Sequence, residues 1–189
     1  MLNILKTIVF NLFIFLSISS FAEDSNTFLI ETNRGNITIE VYPEKAPKTV
    51  ENFKEYVKSG FYDGLIFHRI ISNFMIQGGG FDENMMKKET NAPIINESKN
   101  GLKNKPYTLA MARTNAPNSA TSQFFINLID NSFLNYSGRS SNKAGYCVFG
   151  SVIDGKDIVD KIGKYKTQSK NGQGDVPIKK IVIKSIKKR

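Results

Sequence analysis

Phe67-His68-Arg69-Ile70-Ile71-Ser72-Asn73-Phe74-Met75-Ile76-Gln77-Gly78-Gly79-Gly80 sets one arginine and one glutamine among large apolar side chains. Its residue types favour strand on both sides of Ser72-Asn73 and a turn at that pair, so the stretch reads as a β-hairpin. Side chains alternate between faces along a strand, which puts Phe67, Arg69 and Ile71 on one face and Met75 and Gln77 together on the return strand. The hairpin therefore brings Arg69 and Gln77 toward each other. A guanidinium with five fixed donors beside an amide, over an apolar floor, suits gripping a peptide carbonyl while an apolar group sits below. That is the chemistry of peptide recognition more than of bond breaking. On the hairpin alone, Arg69 could equally be half of an ordinary ion pair.

On either side of this hairpin the chain keeps a β pattern. Residues 27–32 and 37–42 alternate apolar and polar around Asn33-Arg34-Gly35-Asn36, a second hairpin signal. Pro43 and Pro47 end that strand. Val50, Phe53, Tyr56 and Val57 then recur at spacings of three and four before Gly60, as an amphipathic helix with a glycine stop does. Residues 82–105 read as a polar surface excursion, residues 107–112, 123–129 and 146–152 as strands, and residues 132–145 as a loop pinned by Phe133-Leu134. Ile158, Val159 and Ile162 mark a short second helix, residues 166–175 a polar loop, and residues 178–186 a last strand with Ile181 and Ile183 on one face. Many strands with two short helices predict an all-β fold with minor α content. The expected form is a single closed antiparallel β-barrel capped by a helix over each open end, since closure removes exposed strand edges.

The chain has 189 residues, enough for one well-buried core and short for two, and 40% of them are hydrophobic, as in folded proteins. Lys6, an almost wholly apolar run over residues 7–16 and small residues at Ser20 and Ala22 read as a secretory signal peptide cut after Ala22. The run is too short to favour a stable membrane span. Residues 1–22 are thus expected to be a leader and residues 23–189 the mature domain. The periplasm is the expected compartment, with full secretion as the alternative. Lys6 is the one charge in the leader, so the mature chain carries +8, one less than the +9 of the whole sequence. The lysine-rich C-terminus suggests a solvated face rather than a nucleic-acid site, because no aromatic residues interleave with it. Cys147 is the sole cysteine, so no internal disulfide can form, and its apolar neighbours mark a buried thiol.

Residues 109–126, Leu-Ala-Met-Ala-Arg-Thr-Asn-Ala-Pro-Asn-Ser-Ala-Thr-Ser-Gln-Phe-Phe-Ile, supply a second informative run. Together the two runs resemble the paired signatures of the cyclophilin family of peptidyl-prolyl cis-trans isomerases, FHR…FMIQGG and MAR…PNSATSQFFI. The wording SATSQFFINLIDNSFLN is similar to the bacterial branch, and the likeness spans the mature chain. Two long gapped motifs in the right order are far more specific than a single triplet. The resemblance implies Arg69 as the catalytic arginine, with Phe74, Met75, Phe125 and Leu134 around a proline pocket. It implies Gln77 and Gln123 as polar contacts, and Ala112, Arg113 and Thr114 as groove-lining backbone. Phe133 stands where many members have tryptophan, and Tyr146 where many have histidine. Both positions are carried over as substrate contacts, and Phe133, lacking an indole donor, counts against tight cyclosporin binding. Adjacent Phe74 and Met75 should point to opposite faces of a regular strand; the Ser72-Asn73 turn could re-aim Phe74.

The remaining residues narrow the chemistry. His68, the one histidine, has parity opposite to Arg69 and reads as a structural residue hydrogen-bonded below the sheet. One His and one Cys are too few for a zinc site or a hydrolytic triad, and the triple glycine lacks the GKS or GKT element of a phosphate loop. No cofactor or metal is implied. The expectation is a monomeric isomerase acting on proline-containing polypeptides of other exported proteins, without nucleic-acid partners or membrane insertion after leader cleavage. A non-catalytic peptide-binding chaperone module using the same groove is the alternative. A binder of envelope or nucleic acid through the C-terminal lysines would instead show steep salt dependence.

Overall fold

Ten strands and two α-helices occupy the described residues of the computed structural model, which are 25–170 and 172–189. The leader read at residues 1–22 lies outside them. In chain order the elements are β1 (Thr27–Thr32), β2 (Gly35–Val41), α1 (Pro47–Lys58), β3 (Leu65–Ile71), β4 (Met75–Asp82), β5 (Thr108–Met111), β6 (Phe124–Asn127), β7 (Val148–Asp154), α2 (Lys156–Gly163), β8 (Thr167–Lys170), β9 (Gln173–Pro177) and β10 (Ile183–Lys188). Eight strands form one antiparallel sheet in the order β10-β1-β2-β7-β5-β6-β4-β3. Its two edges meet. Gly64 N–H donates to Ile183 O at 2.9 Å, Phe67 N–H donates to Ile181 O at 2.9 Å, and Ile66 bridges Val182. The result is the nearly closed barrel expected from the strand count, with little edge left unpaired.

The interior is one apolar cluster fed by alternate residues of the strands, among them Phe28, Ile30, Ile37, Ile39, Phe67, Phe124 and Phe149. Val50, Phe53 and Tyr56 of α1 and Val159 and Ile162 of α2 enter the same cluster. The helices sit at opposite ends of β2, because α1 follows closely after its last residue while Ile158 of α2 packs on Gly35, its first. Phe53 is fully buried, with rings of Phe28 and Phe149 each 5.5 Å away. Burying such a side chain contributes roughly 1.5–3 kcal/mol.

Three expectations change. Residues 166–175 are not a loop: β8 and β9 form a separate two-stranded hairpin, pairing Thr167 with Pro177 and Gln168 with Val176. Val176 is buried against Ile66 of β3, and this contact, absent from any pattern of alternation, anchors the hairpin. The last strand begins later than residue 178, and Ile178 is 54% exposed, although Ile181 and Ile183 do share the interior. Finally, Phe67 and Arg69 do not share a face. Phe67 pairs with Gly78 and Arg69 with the adjacent Gln77, so β3 carries one extra residue at this point. Such a bulge shifts the alternation: Phe67 and Ile70 go inward, while Arg69 and Ile71 go outward.

Candidate active site

Outward-facing side chains of five adjacent strands make one stripe on the barrel wall. β3 supplies Arg69 and Ile71, β4 supplies Met75 and Gln77, β6 supplies Phe125, β5 supplies Ala110 and β7 supplies Val148. Gln77 pairs with Arg69 on one side and with Phe125 on the other, which sets guanidinium, amide and ring in a row. Met75, Ala110, Phe125 and Val148 are buried as a floor, with Ile71, Phe74, Ala112, Leu134 and Tyr146 packed at its margin. Above the floor opens a cavity of about 180 Å³, lined by Arg69, Phe74, Met75, Gln77, Ala112, Arg113, Phe125, Leu134 and Tyr146.

The turn resolves how Phe74 and Met75 both reach this cavity. Asn73 adopts φ +56° and Phe74 N–H donates to Ile71 O at 3.1 Å, so Phe74 belongs to the turn and escapes the strand's alternation. Met75 begins β4 and is buried. Phe133 stacks on Phe74 with centroids 5.6 Å apart, yet it is 71% exposed and stands at the rim rather than in the lining. Gln123 also lies beside the cavity: its Oε1 accepts from Gln77 Nε2 at 2.9 Å. The close approach of the Gln123 side chain explains one glycine, since a Cβ on Gly80 would stand 2.5 Å from it. Gly79, at φ +82°, takes the left-handed region for a different reason: here β4 runs from Gly78 to Asp82 while β3 advances only from Phe67 to Leu65, so β4 makes its own irregular turn.

On the far side Arg113 is held by its own loop and by the distant segment that ends at Tyr146. Its guanidinium lies 4.5 Å from the Tyr146 ring centroid, Nε donates to Gly145 O at 2.9 Å and Nη1 donates to Thr114 O at 2.9 Å. Tyr146 packs edge-on against Phe125, and its N–H donates to Leu134 O at 2.9 Å. Thr114 is turned away from the cavity, with its N–H and its hydroxyl both on Ser119 Oγ.

Two sets of residues escaped the sequence reading. Asn104, Asn127 and Asn131 are fully buried and bonded in series, Asn131 Nδ2 to Asn127 Oδ1 at 2.7 Å and Asn127 Nδ2 to Asn104 Oδ1 at 3.2 Å. Asn131 Nδ2 also donates to Phe74 O at 2.9 Å and Asn104 Nδ2 to Leu134 O at 3.2 Å, so this ladder ties down two walls of the cavity. Asn127 carried the same signal as Gln77 and Gln123, an amide in an apolar strand that needs partners. Asp175 of β9 is the other: Arg69 Nε donates to its Oδ2 at 3.4 Å. Arg69 is thus both a cavity residue and half of an ion pair.

The site offers donors and apolar walls but no nucleophile. His68 is buried beneath the wall, its ring 4.7 Å from Phe81, and burial above all, with the Arg69 charge adding to it, holds its pKa down at about 4. It is neutral at pH 7 and faces away from the cavity residues. Burial pushes the Cys147 thiol up to about 11, far from the thiolate range. Among the described residues no group of three or more His, Cys, Asp and Glu side chains is placed to hold a metal ion.

Residues 27–188 match the family model described as cyclophilin type peptidyl-prolyl cis-trans isomerase/CLD. The peptidyl-prolyl cis-trans isomerase cyp18 of Streptomyces antibioticus is 56% identical over 162 residues, covering 86% of this chain and 98% of the relative. Peptidyl-prolyl cis-trans isomerase B of Escherichia coli strain K12 is 55% identical over 155 residues, covering 82% of this chain and 94% of the relative. Among solved structures, a cyclophilin type peptidyl-prolyl cis-trans isomerase of Cryptosporidium parvum, determined in the presence of the dipeptide Ala-Pro, superposes with a TM-score of 0.71 at 28% identity, covering 86% of this chain and 98% of that one.

Proposed function

Because the chain belongs to the cyclophilin-type peptidyl-prolyl cis-trans isomerases, we propose that it accelerates rotation about X-Pro bonds with Arg69 acting on the amide. The observation that carries this reading is the single row of Arg69, Gln77 and Phe125 across three paired strands, a charged donor and an amide over an apolar cup. An X-Pro amide keeps partial double-bond character, and its uncatalysed rotation takes roughly tens to hundreds of seconds. At the twisted geometry the nitrogen recovers its lone pair. A guanidinium N–H aimed there binds the twisted state better than the planar one, which lowers the barrier without any covalent step. Phe74, Met75, Phe125 and Leu134 hold the pyrrolidine ring, Gln77 and Gln123 fix the flanking peptide, and Tyr146 closes the wall beside Phe125. A gain of about five powers of ten requires roughly 7 kcal/mol of preferential binding, which one charged donor plus positioning can supply.

The substrate class is proline-containing polypeptide, in keeping with the Ala-Pro dipeptide present with the Cryptosporidium relative. The leader pattern over residues 1–22 supports export to the periplasm, where the clients would be other exported proteins in the course of folding. In the test, the cis-to-trans relaxation of a proline tetrapeptide is followed with and without protein. Catalytic amounts should speed it by orders of magnitude; protein that binds the peptide and leaves the relaxation unchanged would refute isomerase function in favour of simple peptide binding.

A further inference from the structure

The β8–β9 hairpin lies outside the barrel sheet, yet it delivers a carboxylate to the cavity's arginine. Val176 anchors it, buried with Ile66 and Met85 against the outer side of β3. The next residue toward the hairpin's tip, Asp175, is held at φ +61°, a conformation that side-chain-bearing residues adopt at some cost, and its Oδ2 stands 3.4 Å from Arg69 Nε. The bulge that turns Arg69 outward and the hairpin that carries Asp175 are separate features of the backbone. They converge on one guanidinium.

We propose that Asp175 is a positioning residue that orients the Arg69 guanidinium by accepting its Nε–H, leaving the four Nη–H donors free for the substrate. This rests on the assignment of Arg69 to the amide. Arg69 has a long, rotamer-rich side chain that is 44% exposed, and Asp175 is 42% exposed, so without a partner the guanidinium samples several orientations. At 3.4 Å the contact is long for a hydrogen bond. Catalytic contacts in unliganded enzymes are often long and tighten in the complex. A contribution at the scale of an exposed ion pair corresponds to an effect of about three- to fivefold.

The test is kinetic, with variants Asp175→Ala, Asp175→Gly and Asp175→Asn in the full mature chain and a proline tetrapeptide as substrate. Asp175→Gly removes the carboxylate while suiting the positive φ, so it keeps the fold where alanine strains it. Asp175→Ala and Asp175→Gly should lower kcat about three- to fivefold with KM unchanged, and Asp175→Asn, which retains the acceptor, should stay within about twofold of wild type. In an Arg69→Lys background, where no Nε–H remains, Asp175→Gly should have no further effect. An unchanged kcat in Asp175→Gly, a loss carried by KM, an asparagine variant as slow as the glycine one, or an equal loss in the Arg69→Lys background would each overturn the positioning role. If Arg69→Lys alone keeps the wild-type kcat, the assignment of Arg69 falls, and this role with it.

Discussion

His68 gives the fold a dependence on pH that can be worked out from its surroundings. The imidazole is 3% exposed and packs on Phe81, so a second ring proton is buried away from water, and a hydrogen bond to the Ile66 backbone offsets only part of that cost. Burial, with the neighbouring Arg69 charge, holds its pKa at about 4, against 6.5 for an ordinary histidine. Between those values the unfolded chain binds the proton and the folded chain does not, so stability rises with pH across this window. The contribution is complete above pH 6.5 and is lost as pH falls toward 4. From pH 8 to pH 5 the loss amounts to about 2 kcal/mol, a sizeable share of the roughly 5–15 kcal/mol that a domain has. Urea unfolding of wild type and His68→Gln at both pH values isolates it. Glu31 and Asp157, whose pKa values are lowered chiefly by hydrogen bonds from Ser185 and Lys161, titrate alike in both proteins and cancel. The wild type should lose about 2 kcal/mol more than the variant on going to pH 5. Equal losses would show that His68 is not held neutral by burial.

Two further outcomes are specific. Phe53→Ala empties the centre of the aromatic cluster between α1 and the barrel and should cost about 3–5 kcal/mol in urea unfolding, with no change in the cavity on the outer wall. Gly80→Ala places a methyl group where the Gln123 side chain lies, at 2.5 Å, and should lower kcat/KM about fivefold or more by displacing the Gln123–Gln77 pair; activity equal to wild type would remove Gln123 from the peptide-positioning role.

The hairpin of Arg69 and Gln77, the two helices and the barrel were legible because apolar spacing and turn residues carry them directly. The motifs at residues 67–80 and 109–126 also named nearly all of the cavity lining. What stayed hidden depends on backbone detail or on contacts between distant segments. The bulge in β3 falls on no glycine, so nothing in Phe67-His68-Arg69 announced that Phe67 would turn inward while Arg69 turned outward. Thr167–Lys170 and Gln173–Pro177 have no apolar alternation, and they become strands by pairing with each other and packing Val176 on β3. Asp175 is therefore invisible as a partner of Arg69 until the chain is folded. Asn104 and Asn131 were hidden for a related reason: outside a strand Asn reads as a turn former, and only the packed structure shows the two sharing hydrogen bonds with Asn127 inside.

The role of Arg69 is tested most directly by comparing wild type and Arg69→Ala for both kcat/KM and peptide affinity on one proline tetrapeptide. If the guanidinium acts on the twisted amide, its removal should lower kcat/KM by about a hundredfold or more while the dissociation constant of the peptide changes by no more than about threefold, since cup and amides remain. Equal kcat/KM in the two proteins, or a loss of activity fully matched by a loss of peptide affinity, would contradict it.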